Sequence, residues 1–306
     1  MPAVVLADAQ LARLENDGFL CVTDFLPAAA VDPLVRELAA AVEEGARRAL
    51  LAGRLSKSGF DMARQLPFPQ RLAALCGATG EPPNHYPQLI ADSMSKNHKT
   101  EAMFRLLTHP QVLDVVESVI GSEILCHPQW NIRASLPGDH GALMHQDINL
   151  LHPSCENTPM VNLWIPLVDT DEHSGCLRVA RGSHRRGILP YTPTGGIPAS
   201  ALSGCEIVSC PTLARGAVIF TQLLAHGSFD QNAPEFVRWS MDIRYSVLGL
   251  PTGRDEVPGF VARSRKAPAR VATSAAEWRA QVDAVPGAAS VANGVAARDV
   301  GRAARL

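Results

Sequence analysis

The chain predicts a mainly β protein, an antiparallel sandwich or barrel preceded by helices, and three observations carry that expectation. From Glu123 onward, short β-rich runs recur between Gly, Pro and Asp, over 124–136, 142–148, 160–168, 175–180, 205–209, 216–223 and 236–248. Ahead of them the apolar residues fall at helical spacing instead. Across all 306 residues, 46% hydrophobic against 19% charged content supports a large core.

In chain order, Asp8 to Asp17 reads as a short helix capped by Asp8 and closed by Gly18. Phe19-Leu20-Cys21-Val22 reads as a strand. A long helix follows from Ala29 to about Ala52, with Val31, Leu34, Leu38 and Val42 on its buried face. Residues 53–100 carry Pro67, Pro69, Pro82, Pro83 and Pro87, which predict loops, and the charges of Lys96-Asn-His-Lys99 are read as solvated. A helix from Pro110 to Ile120 ends at Gly121. The irregular loop 190–204 is placed at the rim of an opening. Residues 263–306 are Ala-rich with eight Arg/Lys against three Asp/Glu, and read as a tail or surface strap with one helix around Trp278.

Composition narrows the function classes. A net charge of −2 gives no reason to expect nucleic acid or an anionic membrane as partner. No run approaches the ~20 apolar residues of a membrane span, and Met1 to Ala12 has no basic segment ahead of its apolar run, so no secretory leader is expected. Seven cysteines, an odd number with no Cys-x-x-Cys pair, predict reduced thiols and a cytoplasmic location.

The chemistry is expected at His145-Gln146-Asp147. On a strand, residues i and i+2 point to one face, so an imidazole and a carboxylate would converge. They are two-thirds of the 2-His-1-carboxylate triad that holds non-haem Fe(II) with open positions. With ten His and sixteen Asp in 306 residues, one such pair is expected by chance in about half of comparable chains, so context decides. The apolar run Ala217 to Ala225 reads as a buried strand that delivers His226 as the third ligand. Downstream, Arg238-Trp-Ser-Met-Asp-Ile-Arg-Tyr245 alternates completely. Turned inward, it offers the Arg238 guanidinium and the Ser240 hydroxyl to a carboxylate, as 2-oxoglutarate requires. On 124–136, Gln129, Asn131 and Arg133 alternate against Trp130 and Ile132, and either set can face inward.

These residues resemble the phytanoyl-CoA dioxygenase family of Fe(II)/2-oxoglutarate-dependent oxygenases. The matching pieces are Met144-His-Gln-Asp, Val161-Asn-Leu-Trp-Ile-Pro-Leu-Val-Asp, Gly175 to His184, His226-Gly-Ser and Arg238 to Tyr245, with Asp17 to Leu26 as an N-terminal strand. The departures are Met144 in place of an aromatic residue and Arg181 in place of a proline. The resemblance implies a double-stranded β-helix, a jelly-roll, cupin-like core with flanking helices. It would be one domain over 1–262, helical over 1–122 with the jelly roll over 123–250, followed by the 263–306 tail. It also implies His145, Asp147 and His226 as iron ligands and Arg238 with Ser240 as the 2-oxoglutarate site. Asn162, Trp164 and Asn131 would line the pocket, and O2 would be consumed. Related halogenases lack the carboxylate, so Asp147 implies oxidation without halogen. The expected substrate is a small metabolite, since no basic cluster suits the phosphates of an acyl-CoA. The alternatives are a cupin-like metal-binding protein, which would usually show a His-x-His pair that is absent here, a zinc hydrolase, or a non-catalytic jelly roll.

Overall fold

The computed structural model describes residues 6–82, 84, 87–93, 98–193, 195–254 and 256–284. Helix α1 (Asp8–Asp17) ends at Gly18, whose φ of +87° and close approach to His184 admit only glycine. Its N-cap is Ala7 and not Asp8, because the Gln10 side chain accepts the Ala7 N–H at 2.9 Å. Strand β1 (Phe19–Val22) and helix α2 (Ala28–Leu51) follow, with Val31, Leu34, Leu38 and Val42 buried as the periodicity requires.

The loops expected over 53–100 are largely helical: α3 (Lys57–Gln65), α4 (Phe68–Thr79) and a 3-10 turn, Gln88–Ser93. Pro67 and Pro69 sit at the N-terminus of α4, where a missing N–H costs nothing, so they mark a helix start and break no helix. Lys96 and Asn97 lie outside the described residues, while His98 is buried against Glu37 at 3.0 Å. Helices α5 (Glu101–Leu107) and α6 (Pro110–Ile120) complete this layer.

The strands are β2 (Ile124–Cys126), β3 (Asn131–Ser135), β4 (Met160–Pro166), β5 (Leu177–Ala180), β6 (Ile207–Cys210), β7 (Ala217–Thr221), β8 (His226–Ser228), β9 (Arg238–Val247) and β10 (Phe260–Arg263). The larger antiparallel sheet runs β1-β7-β4-β9-β2-β10, with β3 also on β9, and the smaller sheet runs β6-β5-β8. This is the jelly roll with flanking helices that the sequence predicts. The outer face of the larger sheet, including Trp239, Met241, Ile243 and Tyr245, packs with the helices into the main core. Between the sheets Trp164, Leu177, Val179, Val218 and Phe220 form a second cluster.

At the C-terminal end the expected helix around Trp278 forms, but the reading of its surroundings as a tail fails. Strand β10 pairs with β2, and helix α7 (Ala275–Asp283) inserts Trp278 against Trp130 and Phe260 at ring-centroid distances of 5.7 and 5.3 Å. Residues 263–283 are therefore part of the same core rather than a tail, because a buried Trp side chain outweighs the polar, Ala-rich composition around it. Residues 285–306 lie outside the described residues. All seven cysteines are free thiols, and no helix among the described residues is long and apolar enough to cross a membrane.

Candidate metal and cosubstrate centre

The expected strand 142–148 does not form. His145 makes one isolated bridge to His226, their backbones exchanging N–H···O bonds of 2.8 and 2.9 Å, and Asp147 opens a 3-10 turn, Asp147–Leu150. The two side chains converge nonetheless, because only the residue between them has to be extended. Gln146 is extended, with φ −112° and ψ 136°. It is held there by its buried carboxamide, which donates to Gly187 O at 2.9 Å and Leu223 O at 2.6 Å and accepts from Leu189 N at 2.8 Å. Its own N–H donates to the Tyr191 hydroxyl at 2.6 Å. Nor does His226 end the apolar strand before it. Strand β7 stops at Thr221, a turn intervenes, and His226 opens β8 in the smaller sheet. The sheet-to-sheet crossing is what carries His226 to His145.

His145, Asp147 and His226 bring one ligand atom each to within 4.8 Å of one another. Nδ1 of His145 lies 2.7 Å from Leu143 O and Nδ1 of His226 lies 3.0 Å from Leu224 O. A carbonyl can only accept, so both rings carry the proton on Nδ1 and present the Nε2 lone pair. Burial, and after it the neighbouring His145, pushes the His226 pKa down to about 4, which keeps that lone pair available at neutral pH.

Asp147 divides its two oxygens between two tasks. Oδ2 accepts from Arg244 Nε at 3.0 Å, Arg244 Nη2 at 2.8 Å and Asn162 Nδ2 at 2.6 Å. Oδ1 is buried without a hydrogen-bond partner and lies 3.7 and 4.0 Å from the Nε2 atoms of His145 and His226. Burial alone would raise this carboxyl pKa, but the Arg244 cation outweighs it and holds the group well below the usual carboxylate range. A permanently ionised oxygen facing two imidazole lone pairs fits a divalent cation, and two nitrogens with one oxygen fit Fe(II) with open positions.

Twelve residues after His226, Arg238 opens β9 on the same inward face as Ser240, Asp242 and Arg244. It is only 4% exposed, donates to Ser240 Oγ at 3.0 Å and Ser135 Oγ at 2.5 Å, and leaves Nε buried without a partner. Burial, and next the neighbouring Arg133, lowers its pKa to about 10, so it remains a cation at neutral pH. No carboxylate is within ion-pair distance among the described residues. A buried guanidinium with two hydroxyls around it and no counter-ion fits the terminal carboxylate of a 2-oxo diacid.

Both groups open into one cavity of about 370 Å³, lined by His145, Asp147, His226 and Arg238 and by the expected Asn162, Trp164 and Asn131. Ser240 lies behind Arg238 and reaches the cavity through it. The Arg238 guanidinium lies 5.8 Å from the Trp164 ring centroid. The inward set on β3 is settled as Asn131 and Arg133, with Gln129 just before it, while Trp130 and Ile132 join the core. The expected rim loop contributes Tyr191 and Gly195. The sequence reading missed two residues. Arg244 was legible as the fourth member of the alternating β9 face. Gln146 showed no signal, since its partners come from two distant loops.

Among known proteins, the model of the family described as phytanoyl-CoA dioxygenase (PhyH) matches residues 14–236. The chain is 29% identical over 159 residues to 1-deoxypentalenic acid 11-beta-hydroxylase of Streptomyces exfoliatus, a match spanning 45% of this chain and 55% of that protein. Among solved structures, the non-heme monooxygenase ThoJ in its apo form aligns with a TM-score of 0.54 and 21% identity, covering 90% of this chain and 94% of that one. The epimerase SnoN, solved in complex with Fe3+, alpha ketoglutarate and nogalamycin RO, aligns with a TM-score of 0.52 and 19% identity over 79% of this chain and 85% of its own. At these identities the structural likenesses show the fold.

Proposed function

The chain belongs to the phytanoyl-CoA dioxygenase family of Fe(II)- and 2-oxoglutarate-dependent oxygenases, and from that premise we propose that it hydroxylates an unactivated C–H bond of a small-molecule metabolite. A biosynthetic or secondary-metabolite pathway is the proposed setting, in the cytoplasm. The related 1-deoxypentalenic acid 11-beta-hydroxylase supports the reaction class.

In this reading His145, Asp147 and His226 hold the iron, and Arg238, steadied by Ser240 and Ser135, takes the distal carboxylate of 2-oxoglutarate. Held there, iron would let O2 act as the oxidant, taking two electrons from the C–H bond and two from 2-oxoglutarate, which would leave as succinate and CO2. The protein's own part is positioning and the exclusion of competing reactions. Arg244 and Asn162 saturate Asp147 Oδ2, so the carboxylate can offer the metal only Oδ1. Trp164 walls the cavity beside Arg238, and burial keeps water from competing for the guanidinium.

The observation that carries the reading is the division within Asp147, one oxygen bound three times and the other buried and unpaired between two imidazoles. Anaerobic addition of Fe(II) and 2-oxoglutarate should produce a weak visible charge-transfer band, and well-folded protein without that band refutes the cosubstrate. His226→Ala should weaken iron binding by more than about a hundredfold, beyond the loss expected for a residue that only supports a ligand. Undiminished metal affinity would place the third ligand elsewhere. A zinc hydrolase would leave Arg238 with no task.

A further inference from the structure

Two of the seven thiols meet at the open edge of the jelly roll. Strand β1 is the terminal strand of the larger sheet and β6 a terminal strand of the smaller one. Arg181 stitches the starts of these two strands together, paired to Asp17 and to Glu206 at 2.9 Å each. From that clasp both strands run on, and Cys21 and Cys210 each lie four residues beyond their acid (21 − 17 and 210 − 206). Alternation then turns both side chains into the space between the sheets. Phe19, which shares a face with Cys21, belongs to the cluster there together with Cys210, and Val208 packs against it. The two thiols hydrogen-bond to each other.

Their surroundings differ. Cys210 is fully buried, while Cys21 is exposed. The hydrogen bond from Cys210 holds the Cys21 thiol below its ordinary pKa against the effect of partial burial, and the Arg13 cation adds to this. The same contact, and then burial, pushes Cys210 up. An accessible thiol that ionises early, backed by a buried one that keeps its proton, is the arrangement of an attacking cysteine with a resolving partner. The neighbouring cysteines are turned elsewhere. Cys176 Sγ lies 3.6 Å from Ser209 Oγ, on the outer face of the smaller sheet, and Cys205 packs in a separate cluster with Leu202.

We propose that Cys21 and Cys210 form a redox-active dithiol, a modification site at which a hydroperoxide closes a disulfide between the two sheets. The Cys21 thiolate attacks one oxygen of hydrogen peroxide, the O–O bond breaks, and Cys21 becomes a sulfenic acid as the other oxygen leaves and is protonated to water. Cys210 then attacks the Cys21 sulfur. The S–S bond forms, the S–O bond breaks, and the hydroxyl departs with the Cys210 proton as a second water. Two thiols thus lose two electrons, and one peroxide is reduced. Trp164, Leu177 and Phe220 of the cluster clamped by this bond also line the metal cavity, so the link ties together the sheets that wall the site.

The test uses the folded full chain, stripped of metal by a chelator so that iron takes no part, and exposed to a modest excess of hydrogen peroxide. Titratable thiols should fall by two from the seven of the reduced chain, and dithiothreitol should restore them. Digestion with trypsin and a glutamyl endopeptidase, which cuts after Glu206 and so separates Cys205 from Cys210, should yield the Cys21 and Cys210 peptides joined. Cys210→Ser should abolish the link and leave Cys21 as a sulfenic acid that dimedone traps, and Cys210→Ala, which buries no hydroxyl, should behave alike. Cys21→Ser, at an exposed position, should slow thiol loss at least about tenfold, since the thiolate is the nucleophile. A link from Cys21 to any other cysteine overturns the proposal, as does a disulfide between two copies of the chain. So does oxidation of Cys21 beyond the sulfenic acid while Cys210 stays reduced, or thiol loss that proceeds unchanged in Cys21→Ser.

Discussion

The two ends of the inward face of β9 carry the same residue in opposite electrostatic circumstances. Arg244 and Arg238 are each 4% exposed. Arg244 has its carboxylate, donating two bonds to Asp147 and a third to the Gln129 carbonyl. Arg238 has two hydroxyls and an unpaired Nε. Burial therefore does not distinguish an arginine paired with a carboxylate from one that is not. The state of its partners does, because a buried charge is tolerated only when something compensates it. At the Arg244 end a carboxylate of the protein supplies the compensation, and at the Arg238 end the hydrogen-bond partners are neutral hydroxyls.

The sharpest way to break this contrast is to remove each arginine in turn. Arg244→Met leaves Asp147 ionised and buried without its cation, and should destabilise the metal-free protein by about 3–5 kcal/mol in chemical denaturation. A loss below about 1 kcal/mol would show that the pair is not what holds Asp147. Arg238→Met should lower 2-oxoglutarate affinity by about 2–5 kcal/mol, the cost of truncating one partner of a buried charged hydrogen bond. Iron binding should be retained and the melting temperature held or raised, since an uncompensated cation has been removed. If its melting temperature falls as far as that of Arg244→Met, the two ends are not different in kind.

Acid should separate the two ends without mutation. His127 donates from Nε2 to the Thr252 carbonyl at 2.9 Å and accepts the Gln129 N–H on Nδ1, so it braces only the Arg244 end, and only when neutral. Burial is the main cause that takes its pKa down to about 4, well below the ~6.5 of an unfolded histidine. The unfolded chain then binds the extra proton first. The contribution is complete above about pH 6.5 and is lost as pH falls towards 4, up to about 3 kcal/mol. His127→Asn should flatten that part of the stability–pH curve, and an unchanged slope would assign the loss to other groups. The smallest effect is expected from Asn162→Ala, about a tenfold loss of iron affinity, as for a residue that orients a ligand from behind. An unchanged affinity would leave Arg244 as the sole support of Asp147.

Much of this site was legible beforehand for a reason that the β9 face illustrates. Strict alternation from Arg238 to Tyr245 survives folding because a strand between two partners cannot choose which side chains point inward one at a time. The His-x-Asp side chains converge for a different reason than the one expected, since a single extended residue, Gln146, replaces a strand. Proline counting failed over 53–100 because a proline at a helix start and a proline in a loop look alike in one dimension. Alanine-rich composition failed at α7 because one buried tryptophan outweighed it.

The sequence by itself determined the β-rich class, the order of His145, Asp147 and His226, and the inward set of β9 through its alternation, while the jelly roll and the roles of these residues came from the family resemblance they carry. Only the tertiary structure decided which face of residues 129–133 turns inward and that Arg244 saturates one oxygen of Asp147. Those are facts about pairing between residues 97 to 115 positions apart, and pairing, unlike pattern, exists only once the two sheets close over each other.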